Sequence, residues 1–196
     1  AAAGTIVAGA SQSITVTAYD NTNAAVTGYA GDKSLTFSGL ANAPDSAVPT
    51  VGGVNLGSVT TVSFTSGAGT ANLIAKKAEI ASLDVTDGTT TSTGDASYDI
   101  DLTVQHASAD HLKFSSNVGS PTAGTSFNLP SLQAVDAYGN LADGGNGAAA
   151  YSGAKTIAYT LSGTANGPDS GTDSATTAVS FTAGASTTTL ATTLHR

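Results

Sequence analysis

The chain has 196 residues, a formal net charge of -8 and a pI near 4.3; 10% of its residues are charged, 6% are aromatic, and Cys, Met and Trp are absent. Six Lys and Arg cannot form the basic stripe that displaces counterions from nucleic acid, no apolar run approaches the ~18 residues that span a bilayer, and without Cys there are neither disulfides nor thiolate metal centres. In their place stand 31 Thr, 23 Ser and 23 Gly, a composition of pleated strands and tight turns rather than helices.

Taken in order, Ser13 to Tyr19 alternates with period two, with Ile14, Val16 and Ala18 on one face and hydroxyls on the other, which predicts a half-buried antiparallel strand. Asp20-Asn21-Thr22-Asn23 is a turn whose short side chains bond their own backbone. Leu35 and Phe37 alternate with Ser34, Thr36 and Ser38 in the next strand. The stretch from Ala41 to Gly57, carrying Pro44, Pro49, Gly52 and Gly53, reads as a long irregular loop. Val62 and Phe64 mark a strand that Gly67-Ala68-Gly69 turns back into Ala71, Leu73 and Ala75, a hairpin signal. The only helical turn expected lies around Ala75 to Ala81. Leu83-Asp84-Val85 runs into an Asp87-Gly88 turn and a Thr-rich loop to Gly94. Tyr98, Ile100, Leu102 and Val104 then alternate with Asp99, Asp101 and Thr103 in the clearest strand of the chain.

Gln105 to Ala109 reads as a linker, after which the pattern starts again with Leu112 and Phe114. Tyr29-Ala30-Gly31-Asp32-Lys33 returns as Tyr151-Ser152-Gly153-Ala154-Lys155, and Ser38 to Ser46 returns as Ser162 to Ser170. Ala18-Tyr19-Asp20 matches Ala134-Val135-Asp136, Phe37 matches Tyr159, and Val62-Ser63-Phe64-Thr65 matches Val179-Ser180-Phe181-Thr182. Repetition at that distance means tandem domains, 1-107 and 108-196. Regularly spaced short strands between turn signals make each an all-β sandwich. The copies are not equally complete: Leu73 corresponds to Leu190, and copy two has nothing to match the strands of copy one from Leu83 to Val104.

A sandwich without an edge strand exposes a groove and unpaired backbone groups that another strand can fill. Two readings follow. Either the chain is a slice of a longer array, as the absence of an initiator Met also suggests, or strands are exchanged between subunits. In the second case Thr5, Ile6 and Val7 would complete a neighbour, and Leu190 and Leu194 would mark the receiving edge.

Candidate chemistry is sparse. Neither a Gly-x-Ser-x-Gly elbow nor a Gly-Lys-Ser/Thr phosphate loop occurs, and His106, His111 and His195 fall in the linker or at the terminus, where solvated imidazoles are expected. Asp84, Asp87, Asp99 and Asp101, near the closing strand, and Asp110 at the linker are candidates for the oxygen-only shell of Ca²⁺. Against this, Asp99 and Asp101 fit the solvent face of an alternating strand, and Asp84 and Asp87 fit a turn. Apart from that calcium no cofactor is expected. Lys33 and Lys155, in equivalent places after a Gly turn, read as edge charges that guard against aggregation; an amide cross-link to a buried Asn or Asp is the alternative.

Ala134-Val135-Asp136-Ala137-Tyr138-Gly139-Asn140-Leu141 resembles the Asp-x-x-Gly-Asn strand-to-turn signature of bacterial immunoglobulin-like repeats of the invasin and intimin type. Copy one keeps Asp20 but has Asn21-Thr22-Asn23 in place of the rest. Ala8-Gly9 and Ala123-Gly124 before the first long strands, and the turns at Gly67 and Gly184, are similar to the same family. The resemblance implies tandem Ig-like sandwiches, the second lacking its C-terminal strands. The implied location is the cell surface or extracellular space, as a stalk, adhesin or lattice element whose partners are other copies or further repeats. A ligand- or glycan-binding accessory module of a larger secreted enzyme is the alternative; no catalysis of its own is expected in either case.

Overall fold

The computed structural model describes residues 4–122, 124–160 and 174–193. It is all-β and divides into two compact units, Ala1–Ala107 with Tyr138–Asn140, and Ser108–Ala137 with Leu141–Arg196.

Unit 1 contains β1 (Gly4–Val7), β2 (Ser11–Thr17), β3 (Gly31–Ser38), β4 (Thr50–Val51), β5 (Val54–Asn55), β6 (Val59–Thr65), β7 (Ala68–Ile74), β8 (Ile80–Thr86) and β9 (Ile100–Gln105). The ladder runs β1-β9-β8-β3-β6-β7-β4-β5, with β2 also on β7. Period-two alternation decides which residues turn inward: Ile14 of β2 and Leu73 of β7 meet Leu35 and Phe37 of β3, Leu83 of β8, and Leu102 and Val104 of β9 in one core. One ladder therefore folds over on itself as two layers, with Phe37, Leu73 and Val104 at most 1% exposed.

The fold-over depends on the β6–β7 hairpin. Ser66 and Gly67 both take positive φ, 51° and 84°, the primed geometry that matches strand twist. The turn therefore sits one residue earlier than Gly67-Ala68-Gly69 suggests, and Gly69 lies inside β7 for a different reason. A Cβ there would stand 2.8 Å from Val62 Cγ1 and 3.0 Å from the Ser63 carbonyl oxygen. Two other expectations change. The stretch read as an irregular loop contains β4 and β5, joined by Gly52-Gly53 with Val51 fully buried, and Ala75 to Glu79 is non-helical, leading into β8.

Unit 2 contains β10 (His111–Phe114), β11 (Ser126–Asn128), β12 (Leu132–Val135), a 3-10 turn at Gly145–Gly147, β13 (Gly153–Thr160), β14 (Ser174–Thr182), β15 (Ala185–Ser186) and β16 (Ala191–Thr193). The ladders are β10-β12-β15-β14-β13 and β11-β16. Leu129, Leu132, Val179, Phe181 and Leu190 form its core.

The repetition extends to backbone register. Gly31, Lys33 and Leu35 face Phe64, Val62 and Thr60, while Gly153, Lys155 and Ile157 face Phe181, Val179 and Thr177. The turn at Ser66-Gly67 returns at Ala183-Gly184, with φ 47° and 75°. In unit 1 the Gly67 N–H donates to Tyr29 O, Ala18 N–H to Gly67 O, and Val26 N–H to Ala18 O, at 2.9–3.0 Å; in unit 2, Gly184, Tyr151, Ala134 and Ala142 make the same three bonds at 2.7–3.0 Å. The Tyr-x-Gly-x-Lys motif also acquires a shape. Tyr29 stands edge-on to Phe64 at 4.9 Å with Lys33 Nζ 4.6 Å from its ring centre, and Tyr151 repeats this with Phe181 at 5.0 Å and Lys155 at 5.0 Å. Each Lys is thus laid over an aromatic face.

The opening strands differ. β1 runs parallel to β9, so Thr5, Ile6 and Val7 pair with Thr103, Val104 and Gln105 of their own unit, and alternation sinks Ile6 into that core at 7% exposure. The segment read as available to a neighbour is therefore occupied at home. β10 lies antiparallel on β12 with all four residues exposed. Leu190 is likewise a core residue, its carbonyl accepting from Leu129 N–H, and β16 pairs with β11; Leu194 lies outside the described residues. The Ser162 to Ser170 motif and His195 also lie outside them.

Candidate functional site

The two layers of unit 1 part beside β2, leaving a cleft of about 690 Å³. Its floor is the core itself: Ile14 and Val16 on one side, Leu35, Phe37, Leu83 and Val85 on the other. Its mouth is built by the segments that follow β2 and precede β9. Tyr19 and Tyr98, separated widely in sequence, place their rings 6.2 Å apart and tilted by 36°, and they stay 47% and 44% exposed. The rim also carries the hydroxyls of Thr86, Thr90, Thr91 and Ser97 and the side chains of Asp20, Asn21 and Asp87. An apolar floor under two tyrosines and a ring of donors and acceptors suits an amphipathic ligand.

Turn chemistry fixes the rim. Asp20 Oδ1 accepts from the Thr22 N–H at 2.9 Å, the Thr22 hydroxyl at 2.7 Å and the Ala24 N–H at 2.9 Å. The Ala24 N–H leads the effects that hold its pKa below the usual carboxylate range. Asp87 Oδ1 accepts from the Thr90 N–H at 2.8 Å and the Thr89 N–H at 3.0 Å, and these two amides likewise lower its pKa. Its other oxygen takes the Tyr29 hydroxyl at 2.9 Å. That phenol is pushed above its ordinary pKa, first by burial and then by the carboxylate beside it. The Tyr29–Asp87 bond ties the β2–β3 connection to the loop after β8. Ser92, 6% exposed, reinforces that loop: its hydroxyl accepts from Val85 N–H at 2.9 Å and donates to Asp84 at 3.2 Å.

The five acidic candidates for calcium are dispersed. Asp84 is taken by Ser92, Asp87 by Tyr29 and two amides, and Asp101 by the Ser82 hydroxyl at 2.7 Å across the β8–β9 ladder. Asp110 belongs to unit 2 and meets His111 at 3.2 Å. Asp99 Oδ1 is buried without a hydrogen-bond partner. Among the described residues no three His, Cys, Asp or Glu converge to hold a metal. The scatter follows from local bonding: Asp84 and Asp87 serve the loop after β8, while Asp101 serves the β8–β9 ladder. His106 corrects another expectation, since this linker residue is 5% exposed with Nδ1 2.7 Å from Ala107 O, not solvated.

The Asp136 to Asn140 motif anchors backbone. Asp136 is fully buried, and within unit 1 the Asn140 side chain accepts from Ala78 N–H at 2.9 Å and donates to Lys76 O at 2.8 Å. Sequence reasoning missed the cleft, although the exposed Tyr at each end of an apolar alternation was visible in Tyr19 and Tyr98.

No family model and no curated protein match this chain. Two solved structures are similar to it: surface layer protein SbsC, domains 4-9, with 14% identity and a TM-score of 0.31 over 97% of this chain and 29% of that one, and S-layer protein SbsC, domains 5-6, with 13% identity and a TM-score of 0.28 over 97% and 91%.

Proposed function

We propose that the chain is a non-enzymatic building block of a bacterial surface fibre, adhesin stalk or lattice, composed of tandem Ig-like units of the invasin and intimin kind. Its partners are other copies of itself or further repeats. The observation that carries this reading is what the duplication preserves. Register, primed turn, three-bond backbone node and the Lys-Tyr-Phe stack return in both units, whereas the cleft rim of unit 1 does not return: Tyr19 is replaced by the buried Val135. Selection for a repeated scaffold with freely varying loops is the signature of a spacer or lattice element. The parallel pairing of β1 with β9, and a β6–β7 ladder limited to Phe64 opposite Gly69 and Thr65 opposite Ala68 before β7 goes on to pair with β2, support the Ig-like assignment.

Two measurements test it. Reading the encoding gene should reveal further copies of the Tyr-x-Gly-x-Lys unit, and concentrated protein should form ordered oligomers or sheets by electron microscopy. A neighbouring catalytic domain together with a chain that stays monomeric at every concentration would sink the proposal.

A ligand-binding accessory module is the second reading, favoured by the Tyr19–Tyr98 pair over an apolar floor. Titration with soluble oligosaccharides, followed by NMR, should then shift Tyr19 and Tyr98, and Tyr98→Ala should weaken binding about tenfold, the value of one stacking contact. A panel that leaves the cleft resonances unmoved removes this reading.

A further inference from the structure

β3 and β13 are one strand in two copies, and the copies differ in what lies beyond them. The inner edge of each faces β6 or β14 in matching register. The outer edge of β3 is closed by β8, with Thr36 opposite Thr86, Phe37 opposite Val85 and Ser38 opposite Asp84. β13 is the terminal strand of its sheet among the described residues. The side chains register the difference. Leu35 and Phe37 are 3% and 1% exposed, whereas their counterparts Ile157 and Tyr159 are only half-buried, although both belong to the margin of the unit 2 core.

We propose that the outer edge of β13, around Ala158 and Tyr159, accepts an extended polypeptide strand of the β8 type, added antiparallel, with an aliphatic residue opposite Tyr159 where Val85 stands opposite Phe37. The occupant follows from the chain itself. In unit 1 the same edge is closed by a strand with Leu83 and Val85 two apart, the spacing that puts both on the core face. An edge with no partner strand among the described residues, beside half-covered apolar side chains, is the usual template for strand addition, in which backbone bonds give affinity and alternate side chains give selectivity. This inference rests on the assembly reading, because it names the contact through which a further segment would join unit 2.

The test uses the full chain and a synthetic peptide spanning residues 79 to 105. The peptide should bind saturably and slow amide hydrogen exchange at Ala158, Tyr159 and their neighbours in β13. A peptide with Val85→Asp should bind at least tenfold more weakly. An edge left unprotected, or protected equally by a scrambled peptide, overturns the proposal. So does concentration-dependent protection of β13 without peptide, which would make the occupant a second β13. If the protein forms ordered sheets while the peptide leaves β13 unprotected, this inference falls and the assembly reading stands. Peptide binding at β13 in a protein that never assembles upholds the strand-accepting edge and removes the assembly reading.

Discussion

At the scale of single residues, the units are held by groups whose backbone geometry leaves little choice of side chain. Gly67 and Gly184 combine positive φ with carbonyl oxygens pressed against the place a Cβ would occupy: Val26 O at 2.6 Å and Ala142 O at 2.8 Å. Gly67→Ala and Gly184→Ala should each cost about 2–3 kcal/mol, from left-handed strain plus a clash that only backbone movement relieves. Ser66→Gly, at a position with open strain and no such node, should change stability by less than about 1 kcal/mol. Urea unfolding of the three variants decides, and equal effects at Ser66 and Gly67 would contradict the node. Asp87 makes a second prediction. Its folded pKa is lowered, so its contribution is present above the unfolded value of about 3.9 and is lost as pH falls through the folded one. Tyr29 works in the opposite direction: its raised pKa keeps its contribution up to about pH 10 and removes it as pH climbs further. Asp87→Asn should therefore be less stable than the parent at neutral pH, by about 1 kcal/mol for a half-exposed charged acceptor, and the gap should close on acidification below about pH 4. A gap constant from pH 7 to pH 3 would show that charge at Asp87 contributes nothing.

At the scale of strands, the difference between β3 and β13 is measurable. Phe37 is sealed between β8 and the opposite layer, and Phe37→Ala should cost about 3–5 kcal/mol. Tyr159 is half-buried, with no strand on that side among the described residues, and Tyr159→Ala should cost about half as much, since less of its surface leaves water on folding. Denaturation resolved by unit, with NMR signals from each, separates the two; equal costs would mean that β13 is as well covered as β3. Strands of this kind were legible in the chain because one face is buried and the other solvated, as in β2, β3, β6 and β9. The β4–β5 hairpin was hidden by Pro44 and Pro49, which weigh toward a loop, although two valines around Gly52-Gly53 carry a hairpin signal. The cleft was harder to see. Its polar tie joins Tyr29 to Asp87 across 58 positions, and its mouth pairs residues from the ends of two strands that only the fold brings together. Local pattern marks which face of a strand is inward, but not which strands leave a gap between them.

For the molecule as a whole, charge sets the terms of association. A chain of net charge -8 repels its copies, and short-range contacts between them act only once that repulsion is screened. The screening length falls from about 30 Å at 0.01 M salt to about 8 Å at 0.15 M and about 3 Å at 1 M. Sedimentation velocity should accordingly find dispersed chains at 0.01 M NaCl and growing assemblies toward 0.5 M, with the shift reversed on dilution into low salt. Calcium provides the discriminating control. The acidic residues Asp84, Asp87 and Asp101 are each committed to separate hydrogen bonds, so at matched ionic strength CaCl₂ and MgCl₂ should promote association equally. Assembly that appears with millimolar calcium but not magnesium would mean that carboxylates scattered within one chain are gathered into a site by a second, and association indifferent to all salts would remove electrostatic repulsion as the restraint.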